Sequence, residues 1–261
     1  MIPLKDNVPT RRLPILTVAL IVAIVAIFAW AEHAPAERLA TTLGVPLRVS
    51  GFTAVTAEYG FVPCEVTQSC PHGDDRILLG EDQLGRPVYA HVHHVPVLAS
   101  VFTSMFMHGS WEHVLGNMLF LWIFGNNIED RLGRRRFIVF YLLGGLAAAV
   151  LQFLAGPGSD VPNIGASGAI AAVLGGYLVL YPRAAVITFI PPFFFFPLPA
   201  VLFLLGWILL QVYSAGSGQV GSAGGGIAYF AHIGGFIFGL LTIRWWVQWA
   251  ERPPTPRPGY G

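Results

Sequence analysis

The chain has 261 residues, 54% hydrophobic and 11% charged, with a formal net charge of +1. Soluble domains carry about 25% charged residues, so a water-soluble globule is excluded. The near-neutral charge also excludes a nucleic-acid partner, whose phosphates select a basic surface. Gly (30) and Pro (20) are abundant but show no collagen-like period and no polar low-complexity tract, which excludes fibrous and disordered classes. A multi-pass membrane protein remains.

An apolar run of about 20 residues crosses a bilayer as a helix. Residues 1–12 read as a cytoplasmic N-terminal tail. Residues 13–31 are uncharged and read as a first transmembrane helix rather than a leader, since the run outlasts a signal-peptide core. Residues 32–96 hold most of the carboxylates and read as a long extracytoplasmic loop. Cys64 and Cys70 lie there, five residues between them, on the oxidising side, and predict a disulfide that braces the loop. His91, His93 and His94 read as a solvated strand face, and no metal site is assigned to them.

Residues 97–246 read as a core with five further transmembrane helices, at 114–128, 137–156, 161–182, about 198–213 and about 227–246. Prolines 191, 192, 197 and 199 break the apolar stretch before the fifth span. They leave the four phenylalanines at 193–196 as an interfacial anchor. Residues 247–261, rich in proline, read as a disordered cytoplasmic C-terminal tail. In this six-span arrangement 11 of the 15 Lys and Arg fall on the side of both termini. The other four, Arg38, Arg48, Arg76 and Arg86, lie in the single long loop, where charge bias counts little. The fold class expected is therefore an all-α membrane bundle of six transmembrane helices with both termini cytoplasmic.

Polar side chains inside spans are costly and mark functional sites. His113 and Asn117 start the second span, Ser167 the fourth and His232 the sixth, while Asn126 and Asn127 sit at the opposite, cytoplasmic end. The second, fourth and sixth spans run in the same direction, so the first four residues lie within about two helical turns, roughly 10 Å, of one surface. Ser167, Ala171 and Gly175 form one stripe of small residues, and Ala231, Gly235 and Gly239 form another, spacings that let helices approach closely in lipid. If the stripes face each other, the Ser167 hydroxyl comes within reach of the His232 imidazole. Taken singly, each residue also fits a packing role; the shared depth and the paired stripes favour a Ser-His dyad. Histidine is the usual base for a serine nucleophile, and no Asp or Glu lies near His232 in sequence to complete a triad. The Ser167 backbone N–H at a helix N-terminus, with His113 and Asn117 side chains, would form an oxyanion hole.

These residues resemble the rhomboid family of intramembrane serine proteases. The family's His-x-x-x-x-His-x-x-x-Asn pattern reads His108 to Asn117, with His113 at its centre. The nucleophile motif reads Gly165-Ala166-Ser167-Gly168, and the base motif reads Ala231-His232 with Gly235 and Gly239. A cytoplasmic Glu-x-Arg-x-Gly element reads Glu129, Arg131 and Gly133. The resemblance implies Ser167 as nucleophile, His232 as general base, and His113 and Asn117 as oxyanion-hole donors. It implies structural roles for Glu129 and Arg131, and His108 as the residue ordering the loop into the second span. Two positions depart from the pattern. The Trp-Arg pair of many members aligns with Ala99-Ser100, so that loop is anchored differently. The aromatic residue that stacks on the base in some members is Ala171, which removes that support from His232.

The function this implies is cleavage of membrane proteins, single- or multi-span, within or near their transmembrane helices, without cofactor or metal. The partners are those substrates and the lipid bilayer, and the expected location is a bacterial cell membrane. No motif encodes an oligomeric state. The alternative is a catalytically inactive rhomboid-like protein that binds membrane clients, against which the presence of both Ser167 and His232 speaks. A channel or transporter is disfavoured by spans without Asp or Glu and without a visible repeat.

Overall fold

A computed structural model describes residues 1–39, 47–70, 76–81, 87–91, 95–192, 194–217 and 228–251. Strand β1 (Ile2–Asp6) precedes helix α1 (Ile15–Glu32). A small hairpin of β2 (Glu37–Leu39) and β3 (Leu47–Val49) leads to α2 (Gly51–Tyr59) and α3 (Pro63–Val66). A second hairpin, β4 (Arg76–Glu81) and β5 (Pro87–His91), is followed by α4 (Val97–Thr103). Next, α5 (Trp111–Phe120) runs through a π-helical turn, Leu121–Gly125, into α6 (Asn126–Leu132). The rest is α7 (Arg134–Ala155), α8 (Ser167–Leu180), β6 (Ala185–Ile190), β7 (Phe194–Pro199), α9 (Ala200–Gly216) and α10 (Tyr229–Glu251). The protein is thus mostly, not wholly, helical: among the described residues short strands form three small sheets where an all-α bundle is expected from sequence.

Among the described residues three helices, α1, α7 and α10, are long and apolar enough to cross a membrane. Helix α8 has 14 residues, about 21 Å at 1.5 Å per residue against about 33 Å for α7. Every residue from Gly168 to Leu178 is buried. A helix apolar all round belongs inside a protein, and α8 is the axis around which the other helices pack.

Glycines set that packing. A Cβ on Gly235 would collide with the carbonyl oxygen of Gly168, one on Gly239 with that of Ala172, and one on Gly175 with that of Phe236. The backbones of α8 and α10 are therefore in direct contact, in the manner of small-residue membrane interfaces. On another side Gly144 of α7 takes the Ala172 methyl. Phe124, Tyr177 and Phe203 fill the space between the π-helical turn, α8 and α9, with Phe124 edge-on to Tyr177 at 4.9 Å. Pro14 gives α1 no side-chain cap. Instead Glu129 of α6 accepts from the Leu16 N–H at 3.0 Å and the Thr17 N–H at 2.7 Å. It thereby satisfies the orphan donors of α1 and sets a negative charge on the positive end of its dipole.

Several boundaries differ from those expected. The span read at 161–182 is helical only over Ser167–Leu180, because 161–166 form a loop pinned by reciprocal hydrogen bonds between Asn163 and Phe61. Residues 194–196 of the segment read as an interfacial anchor lie in β7 with exposed side chains, and Phe193 lies outside the described residues; β6 carries Val, Ile and Thr, which suit a strand, and β7 pairs with it in register Ile190↔Phe194 to Ala185↔Pro199. The N-terminal tail includes β1, which pairs with the other edge of β6. Helix α10 continues to Glu251, into the segment read as a tail. His91 ends β5, and His93 and His94 lie outside the described residues.

Asp6, at the end of β1, accepts from the Tyr177 hydroxyl of α8 and from Asn127 Nδ2 at 2.6 Å. Burial raises its pKa above the usual carboxylate value of 3.8, and the hydrogen bonds from Tyr177 and Asn127 oppose the shift. A raised folded-state pKa means that folding favours the protonated form. This contribution is complete below 3.8 and is lost as pH rises through the folded-state value.

Two outcomes are expected in detergent. Gly239→Ala lowers stability by about 1–3 kcal/mol through overpacking, read as a lower thermal midpoint, whereas Gly116→Ala, where nothing lies within 4 Å, does not. Asp6→Ala costs about 1–3 kcal/mol by orphaning two donors. Asp6→Asn keeps both acceptor contacts and flattens the dependence of the midpoint on pH above 3.8.

Candidate active site

Ser167 is the first residue of α8, in the turn whose N–H groups have no partner within the helix. The chain arrives through Gly165, whose φ of +127° only glycine adopts without strain. A Cβ there would lie 2.8 Å from His113 Nε2 and 3.5 Å from Ser167 Oγ, so this glycine separates the two by bare backbone. The Gly165 N–H donates to the Ser104 carbonyl at 2.9 Å, fixing the loop from the other side.

His232 lies in the first turn of α10 and is buried, 8% exposed. The Ser167 hydroxyl donates to His232 Nε2 at 2.8 Å. The facing stripes produce this contact: Gly168 rests against Ala231, one residue before His232, and Gly235, one turn on, against Gly168. The expected juxtaposition of hydroxyl and imidazole is thus present.

His108 and Asn117 are both buried, 1% and 8% exposed, between α5 and the loop before Ser167. His108 Nδ1 donates to the Phe106 carbonyl at 3.3 Å. Its bare Nε2 accepts from Asn117 Nδ2 at 2.9 Å and from the Ala166 N–H at 3.4 Å. An amide nitrogen carries two hydrogens, so Asn117 keeps one donor beyond the bond to His108. His113, one helical turn before Asn117 on α5, stacks edge-on against His108 with ring centroids 4.9 Å apart. His108, His113, Asn117, Gly165, Ser167 and His232 therefore meet in one place, with Gly168, Ala231 and Gly235 as the contact that holds them. Gly239 lies one turn further along the same interface. Glu129 and Gly133 lie elsewhere, the first capping α1 and the second, at φ +76°, joining α6 to α7. Arg131 belongs to α6 and is exposed.

The long outer segment also reaches this site. Cys64 and Cys70 are joined by a disulfide, and the Cys64 N–H donates to the Ser159 carbonyl at 3.0 Å in the loop that leads to Ser167. A cavity of about 40 Å³ beside Ser167 is lined by Ser104, Met105, Gln152, Gly165, Gly168 and Ala231, room enough for water. Among the described residues no three His, Cys, Asp or Glu side chains gather as a metal site.

Three residues here were not singled out from sequence. Gln152 of α7 accepts from the Ala231 N–H at 3.1 Å, capping α10 beside His232. Gln211 of α9 accepts from His232 Nδ1 at 2.7 Å. Trp207, one turn before Gln211, covers a face of the imidazole at 5.6 Å between centroids. The signal for the glutamines was available: they are amides in uncharged runs, as costly to bury as the asparagines.

A hydroxyl–imidazole pair at the start of an internal helix, flanked by further amide and imidazole side chains, is the candidate site of this helical bundle. The comparisons with known proteins supply the family. The Rhomboid domain model matches residues 96–248, more than half the chain, and the chain belongs to the rhomboid family. It is 31% identical over 155 residues to Rhomboid protein 1, mitochondrial, of Saccharomyces cerevisiae, covering 57% of this chain and 42% of that one. It is 31% identical over 167 residues to RHOMBOID-like protein 12, mitochondrial, of Arabidopsis thaliana, covering 57% and 46%. It is 30% identical over 167 residues to Presenilin-associated rhomboid-like protein A, mitochondrial, of Danio rerio, covering 58% and 39%. The match thus spans less than half the length of each of these relatives.

His108→Ala leaves Asn117 and the Ala166 N–H without their acceptor. It is expected to cost about 1–3 kcal/mol, measured as a lower thermal midpoint with α-helical content unchanged at low temperature.

Proposed function

We propose that the protein is an intramembrane serine endopeptidase that cleaves single- or multi-span membrane proteins within or near a transmembrane helix. The observation that carries this reading is the 2.8 Å hydrogen bond from Ser167 Oγ to His232 Nε2 at the N-terminus of α8. In this reading α1, the continuous α5–α6 run, α7, α8, α9 and α10 are six spans, with both termini cytoplasmic in a bacterial cell membrane. The named relatives are mitochondrial, and membrane fractionation of the native host reads the compartment directly.

The chemistry follows from the donors and acceptors. Ser167 Oγ attacks the scissile carbonyl carbon as its proton passes to His232 Nε2. Negative charge collects on the carbonyl oxygen, where the Ser167 N–H, the second Asn117 hydrogen and His113 can donate. The C–N bond breaks as the imidazolium returns its proton to the leaving nitrogen, and an acyl-enzyme remains on Ser167. Water, for which the cavity beside Ser167 has room, loses a proton to His232 and attacks the ester. The C–Oγ bond then breaks as the imidazolium returns that proton to Ser167 Oγ, and the acid product leaves.

The test is a tagged single-span substrate panel co-expressed with the wild type, Ser167→Ala or His232→Ala. A cleaved band that requires both residues is expected, along with fluorophosphonate labelling at Ser167. Asn117→Ala should lower kcat by about 10²–10³-fold, the loss typical of one oxyanion-hole donor. Cleavage should fall toward acid pH as the base becomes protonated. An absence of both labelling and cleavage points instead to the client-binding alternative.

A further inference from the structure

Two side chains of α9 hold the imidazole of His232 on the sides that Ser167 does not. Trp207 and Gln211 are four residues apart, on one helix face. The Trp207 ring lies over the imidazole at 5.6 Å and 35°. It covers the ring from α9, whereas the stacking aromatic expected from α8 is absent because that position is Ala171. Gln211 Oε1 lies 2.7 Å from His232 Nδ1.

The orientation of that amide is fixed by a second bond. Gln211 Nε2 donates to the Trp207 carbonyl at 3.2 Å, so the oxygen faces the imidazole. A carbonyl oxygen can only accept, so the proton of the neutral ring sits on Nδ1. Nε2 is then the bare nitrogen that the serine hydroxyl requires. Reversing the amide would present NH₂ to Nδ1, drive the ring proton to Nε2 and leave no acceptor for Ser167. When His232 takes the serine proton, its Nδ1–H bond to Gln211 becomes charge-assisted and stronger.

Packing alone does not call for an amide here. Helix α9 shows Leu202, Leu205, Leu209, Leu210, Val212 and Tyr213 outward and buries only a narrow strip that includes Phe203, Leu204 and Gln211. A leucine would fill the strip with no polar group to satisfy. A neutral amide gives Nδ1 an acceptor without the larger cost of burying a carboxylate.

We propose that Gln211 is a positioning residue that fixes the tautomer and plane of His232, with Trp207 packed against the ring. This rests on the reading of Ser167 and His232 as the catalytic pair, and the test separates the two claims.

The full chain is reconstituted with a tagged single-span substrate as the wild type, Gln211→Leu, Gln211→Glu and Ser167→Ala. Gln211→Leu is expected to lower kcat by about 10- to 100-fold, part of the 10²–10⁴-fold that a positioned general base supplies, with KM unchanged. Gln211→Glu keeps an acceptor oxygen and adds charge, so the acid limb of its pH–rate profile is expected to move to higher pH. His113 on α5 is the other titratable side chain that acts on the ring, and it is the same in every variant. Independently of turnover, ¹⁵N NMR of the histidine rings is expected to show His232 protonated at Nδ1 in the wild type and mixed tautomers in Gln211→Leu. Wild-type kcat, an unshifted acid limb and an unchanged tautomer in the variants would overturn the role of Gln211 while leaving the dyad intact. Undiminished cleavage by Ser167→Ala would instead overturn the catalytic pair, and the tautomer measurement would still decide what Gln211 does. If Gln211→Leu does not fold, the acid limb of Gln211→Glu decides.

Discussion

The backbones of α8 and α10 touch, and the rest of the structure is arranged around that contact. Gly175, Gly235 and Gly239 have no side chains to hold the two helices apart, and Gly168 makes room for Ala148 of α7 on the other side. In a bilayer, where lipid tails are as apolar as any leucine, such close packing is the main attraction available between helices. It also sets the distance between Ser167 and His232. Both residues lie in the first turn of their helices, so the approach of the two N-termini becomes the 2.8 Å contact of hydroxyl and imidazole. The packing interface and the candidate active site are one feature.

A second constraint is the treatment of polar groups in a largely apolar interior. Gln152 and Glu129 each satisfy N–H groups at the start of a helix, α10 and α1 respectively. His108 uses its bare nitrogen to gather Asn117 and the Ala166 N–H, which joins the start of α5 to the loop before Ser167. Each partner also restricts a rotamer, so the groups that meet around Ser167 are held in fixed orientations. The outer segment contributes in the same way. Its disulfide-linked turn and Phe61 hold the loop that leads to Ser167 through backbone hydrogen bonds, so a region remote in sequence helps to place Ser167. At the far end, β1 completes a sheet with β6 and β7 and sends Asp6 to Tyr177. Helix α8 is thereby held at both ends.

Much of this was legible in the amino-acid sequence. Uncharged runs located the helices, and the His108–Asn117, Gly165–Gly168 and Ala231–Gly239 spacings placed the candidate site on them, because helical periodicity converts residue spacing into shared faces. The two cysteines, close together in one loop, predicted the bond that joins them. Glycines at helix-stripe spacing implied close approach because the absence of a Cβ is a local property.

What only the tertiary structure decided were contacts between elements far apart in sequence. Glu129 meets the start of α1 across more than 100 residues, and Gln211 reaches His232 from a different helix. No local pattern encodes such pairs, since a glutamine in an apolar run does not reveal which helix it faces. The loop before Ser167 read as helix because its composition permits one, and tertiary hydrogen bonds from Phe61 held it open instead. The strands around 185–199 were hidden for a related reason: a short apolar run satisfies strand, helix and interface equally, and only the neighbour that accepts its backbone hydrogen bonds, β1 on one side and the hairpin partner on the other, selects among them.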